Sequence, residues 1–301
     1  MMTSTDMIQS ATIDSMAAEV TVAEAYAFCR SITHRHGANF SVGFRFLPDV
    51  KRRAVYAAYA FCRWADDIAD DPGSDVPERL DLCELELEAC YAGRATHPIT
   101  IALRDAIEHF PIPKSAFAAL LRGCRQDLEK SRYATFDELL GYCDLVATSI
   151  SDISLSIFGF EGDEAPLHGR NLATALQLTN VTCDIGYDLD RDRIYVPQDE
   201  LLRFGVTDEQ LFHRDESDAV RSLIEFQIDR AEAYFTRAEP LLGTLKFDAR
   251  FPTLLMGGVY ATVLSKLRKD PLAVLRHRLR LSRAEKLMVI ARRAIQPHFV
   301  L

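Results

Sequence analysis

The stretch Tyr56-Ala57-Ala58-Tyr59-Ala60-Phe61-Cys62-Arg63-Trp64-Ala65-Asp66-Asp67-Ile68-Ala69-Asp70 decides the fold of this chain. A mostly apolar run passes straight into three aspartates, with no glycine, proline or strict alternation to interrupt a helix. On that helix Asp66 and Asp70 share a face, one turn apart. A second stretch repeats the arrangement. Leu176-Gln177-Leu178-Thr179-Asn180-Val181-Thr182-Cys183 leads into Asp184-Ile185-Gly186-Tyr187-Asp188. Asp184 and Asp188 then stand at the same spacing on a second helix. Like charges so placed destabilise a helix by roughly a few tenths of a kcal/mol. Acidic pairs usually mark a solvated helix face. At the end of an apolar helix they need a partner, because burying an uncompensated charge is costly. A hard divalent cation is a fitting one, since Mg2+ takes carboxylate and phosphate oxygens. Two such patches facing each other would hold Mg2+, and the Mg2+ would hold a diphosphate.

The rest of the chain is helical in the same way. Apolar residues recur at three and four over roughly 21–36, 51–70, 77–92, 98–109, 113–129, 135–158, 166–188, 215–243, 250–268 and 282–295. Thr135-Phe136-Asp137-Glu138 reads as a capping box, and Pro113 suits a first helical turn. Breaks are expected at Pro72-Gly73, Pro111, Gly159 to Glu164, Pro197 and Pro252. No convincing strand pattern is present. The expected fold is all-α: a single helical bundle with a central apolar cavity, over residues 21–301, behind a disordered N-terminal segment at 1–20. The 301 residues are 48% hydrophobic and 26% charged, enough for one large core, and no Gly/Ser/Pro-rich linker divides them. A net charge of −9 argues against nucleic-acid binding. The seven cysteines (29, 62, 83, 90, 124, 143, 183) form no CxxC pair and read as reduced core residues of a cytoplasmic protein. Neither a secretory signal nor a membrane span is expected. His34, His36 and His97 read as structural or solvated.

The motifs carry a resemblance. Phe40 to Asp71, FSVGFRFLPDVKRRAVYAAYAFCRWADDIADD, and Asn171 to Leu201, NLATALQLTNVTCDIGYDLDRDRIYVPQDEL, resemble the two signature regions of the squalene/phytoene synthase family, the head-to-head prenyl diphosphate synthases. The likeness continues through Arg132 to Cys143, Val259-Tyr260 and Arg278 to Leu287, spanning residues 26 to 295. It implies an isoprenoid-synthase bundle and Mg2+-dependent use of prenyl diphosphates, with Mn2+ as an alternative ion and NADPH undecided. It implies metal ligands at Asp66, Asp70, Asp184 and Asp188, and catalytic roles for Tyr59, Arg63, Tyr142, Gln177 and Tyr260. Substrate binding falls to Asn39, Phe40, Arg63, Asn180, Arg193 and Tyr195. Such chemistry has its own physical demands. The diphosphate needs concentrated positive charge, and the allylic cation left by its departure needs a dry pocket lined by inert and aromatic groups. The basic run Lys51-Arg52-Arg53 is either a diphosphate patch or a solvated turn.

Four departures from the family pattern gather near the chemistry. Cys183 stands where an arginine is common and Tyr187 where a glutamate is common. Ser151 replaces a glycine, and Asn39 a serine. Loss of an arginine removes a bidentate phosphate donor. The leading reading is condensation of two farnesyl or geranylgeranyl diphosphates through a cyclopropylcarbinyl diphosphate. The alternatives are a single-substrate enzyme of the same family (a hydroxysqualene synthase or a terpene-synthase-like enzyme) and a non-catalytic assembly factor on the same fold. A prenyl diphosphate is the expected partner. Contact with a membrane surface suits its lipid chemistry, and the oligomeric state is open.

Overall fold

The computed structural model describes residues 20–36, 41–71 and 73–299. The segment at 1–19 and the pair Asn39-Phe40 lie outside the described residues. The elements in order are α1 (Val22–His36), α2 (Ser41–Phe44), α3 (Asp49–Ala69), α4 (Val76–Tyr91), α5 (Pro98–His109), α6 (Lys114–Glu129) and α7 (Phe136–Cys143). A π-helical turn, Asp144–Thr148, then joins α7 to α8 (Ser149–Phe158). After it come α9 (Ala165–Cys183), α10 (Ile185–Leu189), α11 (Gln198–Phe204), α12 (Asp208–Phe212), α13 (Asp218–Ala238) and α14 (Leu241–Thr244). The last three are α15 (Phe247–Lys269), α16 (Ala273–Arg276) and α17 (Arg283–Ile295). Among the described residues there is no strand, only isolated bridges at Arg132–Ile194 and Phe160–Leu245.

Long helices surround the cavity. α3 packs on α1, α4, α5 and α6, and α9 lies along α13 and touches α8, α15 and the π turn. The two acidic stretches therefore belong to different sides of the bundle. α3 begins after Pro48 and buries Val55, Ala58, Phe61, Ala65 and Ile68. That stripe leaves Arg63, Asp66 and Asp70 to another face. His97 caps α5 by accepting from the Ile99 N–H (3.2 Å), and its ring stacks on Trp64 at 4.5 Å, so it is structural as read from the sequence. All seven cysteines are free, six of them buried.

Five expectations need correction. The helix expected over 215–243 ends at Ala238, and Glu239-Pro240 leads into the short α14. The helix expected over 135–158 is interrupted by the π turn, where Ser149 donates to the Leu145 carbonyl and Thr148 to Asp144. The helix expected over 166–188 ends at Cys183, and Asp184 (φ −101°, ψ 8°) joins it to α10. Pro252 lies inside α15, in its second turn, rather than breaking it. The box at Thr135 is only half formed. Thr135 caps the Glu138 N–H, but the Glu138 carboxylate turns back to the Ala134 N–H and to Lys130. Complete boxes stand instead at Thr207–Gln210 and Ser282–Glu285.

Candidate active site

A cavity of about 890 Å³ opens between α3, α6, the π turn, α8, α9 and α15. Its deeper wall includes Val55, Leu120, Ile153, Leu172, Met256 and Val263. Its polar wall holds Tyr59, Arg63, Asp66, Tyr142, Gln177, Asn180, Asp184 and Tyr260, all marked by the sequence. Asp70, Asp188, Arg193 and Tyr195 do not line the cavity, but they contact residues that do. Arg193 reaches Asp70 at 3.9 Å and donates to the Asp127 carbonyl at 3.1 Å. Asp188 donates its N–H to the Asp184 carbonyl at 2.8 Å, so the one-turn relation survives the break at Cys183.

Each acidic cluster already holds arginines. Arg63 contacts Asp66 at 3.3 Å and pairs closely with Asp67, one turn on. Arg278 grips Asp184 with two donors, its Nε at 2.7 Å from Oδ1. No three acidic, His or Cys side chains are drawn together in metal-ligating geometry among the described residues. Electrostatics nonetheless mark both clusters. The Asp66 side chain keeps 58% of its surface open to the cavity, yet the protein packed around it, with Asp70, Asp67 and Asp127 nearby, pushes its pKa up to about 6 against the pull of Arg63. Asp188 is pushed up to about 7 by burial and the Asp184 charge, against Arg193, Arg278 and Arg191. Carboxylates so crowded gain from a cation. The donors are hard oxygens, and the neighbouring Cys183 thiol, pushed up to about 12 by burial, stays protonated and offers no thiolate. The residues present therefore fit Mg2+.

Aromatic groups complete the wall. Asp127 accepts from the Tyr142 hydroxyl at 2.9 Å and from the Tyr195 hydroxyl at 3.1 Å. Those two rings stack at 5.4 Å, and Tyr133 stacks on Tyr195 at 5.6 Å. Tyr260 shares a hydrogen bond with Asn180, and burial raises the hydroxyl pKa of Tyr260 and, to about 12, that of Tyr59. Asp127 and Arg278 are not among the site residues expected from the sequence. Asp127 carried a signal, since Leu120, Cys124 and Asp127 repeat at four and three on one face of α6 and all line the cavity. Arg278 opens the resembling stretch Arg278 to Leu287, but nothing there marks it as a partner of Asp184, 94 residues away. Lys51 pairs with Asp248 at 2.7 Å, Arg52 with Asp49 at 2.7 Å, and Arg53 covers the Tyr26 ring. None of the three lines the cavity that holds Asp66 and Asp184.

The departures also have places. Tyr187 is sandwiched between two guanidiniums, Arg191 at 3.8 Å and Arg278 at 4.7 Å from its ring centre. Ser151 fits because the facing residue is Gly169, where a Cβ would lie 2.6 Å from the Ser151 hydroxyl.

A helical bundle with acidic clusters from two sides at the mouth of an apolar cavity defines the isoprenoid-synthase class. Comparison with known proteins sharpens this. The squalene/phytoene synthase family matches residues 33–285. A 15-cis-phytoene synthase of Synechocystis sp. is 35% identical over 283 residues, covering 89% of this chain and 84% of that protein. A phytoene synthase of Arthrospira platensis is 32% identical, with 94% and 97% covered. Among solved structures, a dehydrosqualene synthase in complex with a ligand superposes with a TM-score of 0.84 at 26% identity, over 90% of this chain and 95% of that one. A squalene synthase from Alicyclobacillus acidocaldarius gives 0.79 at 34% identity, with 83% and 95% covered. The chain belongs to the squalene/phytoene synthase family and is a prenyl-transferring enzyme of the head-to-head type.

Proposed function

We propose that this enzyme joins two farnesyl or geranylgeranyl diphosphates, with Mg2+ held by Asp66, Asp70, Asp184 and Asp188. The observation that carries the reading is one cavity whose polar wall bears Asp66 and Asp184, one aspartate from each acidic cluster, and whose deeper wall is aliphatic. When bound, Mg2+ supplies charge that neutralises the diphosphate and eases its departure. The protein's own groups do the rest. Arg63 and Arg278, already on the cavity wall beside Asp66 and Asp184, suit the diphosphate oxygens. The aliphatic wall holds both prenyl chains and excludes water. The Tyr59, Tyr142 and Tyr260 hydroxyls stay neutral, so they present dipoles and ring faces to a cation without adding a nucleophilic phenolate. Loss of diphosphate from one substrate leaves an allylic cation. The double bond of the second attacks it, and proton loss closes the cyclopropylcarbinyl diphosphate.

Arg278 bears on the missing arginine at 183. A guanidinium still meets the second cluster, supplied from the loop before α17. The two-substrate reading thus stands without the usual arginine. The test is incubation with C15, C20 and presqualene diphosphates, with and without Mg2+, followed by product analysis. A C30 or C40 head-to-head product from the allylic substrates is expected. Turnover of presqualene diphosphate alone would overturn this reading in favour of the single-substrate alternative.

A further inference from the structure

Helix α17 has two apolar faces, and only one is used by the protein. Its inner face buries Val289 and Arg293. Arg293 folds over Gly258, where a Cβ would sit 2.6 Å from its Nε, and donates to the carbonyls of His298 and Phe299. The Ser282–Glu285 capping box and the Glu285–Lys266 ion pair at 2.9 Å fix the start of the helix. The orientation of α17 is therefore set, and what it presents outward is built in.

Outward it presents Leu287 (66% exposed), Met288 (62%) and Ile295 (81%). At 100° per residue these fall within about a third of the helix circumference, interleaved with the exposed Ala284 and Ala291. Arg283 flanks this strip on one side and Arg292 on the other, and both are exposed. From Arg276 to Phe299 the chain carries six arginines and Lys286 against a single acid, Glu285, in a protein whose net charge is −9. Arg293 is buried, Arg278 is held by Asp184, and Arg276 by Glu216 and Asp270, so the basic charge beside the apolar strip is that of the exposed Arg283 and Arg292, with Arg280 just before the helix. The same segment reaches the cavity, whose wall includes Leu279, Arg280, Leu281 and Lys286.

We propose that the outer face of α17 lies on an anionic lipid bilayer and places the mouth of the cavity at the membrane surface. An apolar strip edged by arginines on a convex helix matches an acyl layer beneath anionic headgroups. The remaining negative charge of the molecule keeps other faces away from that surface, so the contact is directional. The purpose of the contact rests on the proposed reaction, since a product carrying two joined prenyl chains has no home in water. The contact itself is measured without turnover, so the two readings can fail separately.

The experiment is sedimentation of the full chain with phosphatidylcholine vesicles and with vesicles containing phosphatidylglycerol. Binding to the anionic vesicles alone, weakened by salt, is expected. Arg283→Gln with Arg292→Gln should weaken it roughly 30-fold. Leu287→Gln, Met288→Gln and Ile295→Gln together should abolish it while leaving the melting temperature and diphosphate release in detergent unchanged. Glutamine keeps the helix propensity of these positions. Failure to bind either vesicle, or undiminished binding by the triple variant, overturns the proposal. So does a dimer of the unmodified chain that becomes a monomer in the triple variant, which would make the face a contact between copies.

Discussion

Asp127 accepts hydrogen bonds from two stacked tyrosines while its backbone carbonyl holds Arg193, so one residue of α6 positions three groups marked by the sequence. Asp127→Asn keeps the size but offers one acceptor oxygen where two are used. A hydrogen bond to a charged group contributes about 1.5–3 kcal/mol, so kcat should fall roughly ten- to a hundredfold with little change in melting temperature. An unchanged kcat would make Asp127 a packing residue. A second prediction concerns the departures. Cys183→Arg with Tyr187→Glu gives Asp184 a second guanidinium and breaks the stack that holds Arg191 and Arg278. Product distribution should change more than KM. Identical products from both enzymes would show that Arg278 alone already serves the role of the usual arginine. What the sequence disclosed at this scale was local. Asp66 and Asp184 could be read because their partners lie one turn away on the same element. Arg278 could not, since its relation to Asp184 exists only once the chain has folded.

At the level of elements, the helices with a clean apolar stripe, such as α3 and α6, fall within two residues of their expected bounds. The misreadings have a common cause. Periodicity runs unbroken through Asp144–Thr148 and through Asp184, and nothing in the pattern separates an α-helical turn from a π turn or a one-residue break. Pro252 misled in the opposite way. As the sixth residue of α15, Pro252 forgoes one bond, to the Asp248 carbonyl, while its ring is buried in the core. The π turn packs on α6, where a Cβ at Gly123 would lie 2.4 Å from Val146. Its Val146 and Ala147 then reach the cavity wall. The crossing of α8 and α9 is as close, since a Cβ at Gly169 would meet both Ser151 and Leu155. Gly169→Ala should therefore destabilise the fold by about 1–3 kcal/mol in denaturant unfolding. Adding Ser151→Gly removes one of the two clashes and should return part of the loss. No destabilisation in the single variant would mean that the two helices separate freely.

For the molecule as a whole, the acidic clusters set stability against function. The raised pKa values of Asp66, about 6, and Asp188, about 7, lie above the ordinary aspartate value of 3.8. The folded chain thus holds these protons more tightly than the unfolded chain does. Stability from this source is complete below about pH 4 and is lost as pH rises through 6 and 7. Glu285 works the other way. Its pKa is lowered to about 2 by the Ser282 backbone, Lys266 and the Ser282 hydroxyl, so its contribution disappears only in acid, below the ordinary glutamate value. Between pH 5 and 7.5 the aspartates therefore dominate. Without metal the melting temperature should fall across that interval, and Asp66→Asn or Asp188→Asn should flatten the fall. At pH 7.5 Mg2+ should raise the melting temperature of the unmodified protein, because binding to the folded state alone adds to its stability. It should do so far less in either variant, and both variants should lose turnover while remaining folded. A melting temperature independent of pH over this interval, or an equal Mg2+ response in all three proteins, would separate these aspartates from the ion and send the search for its ligands to Asp67 and Asp127.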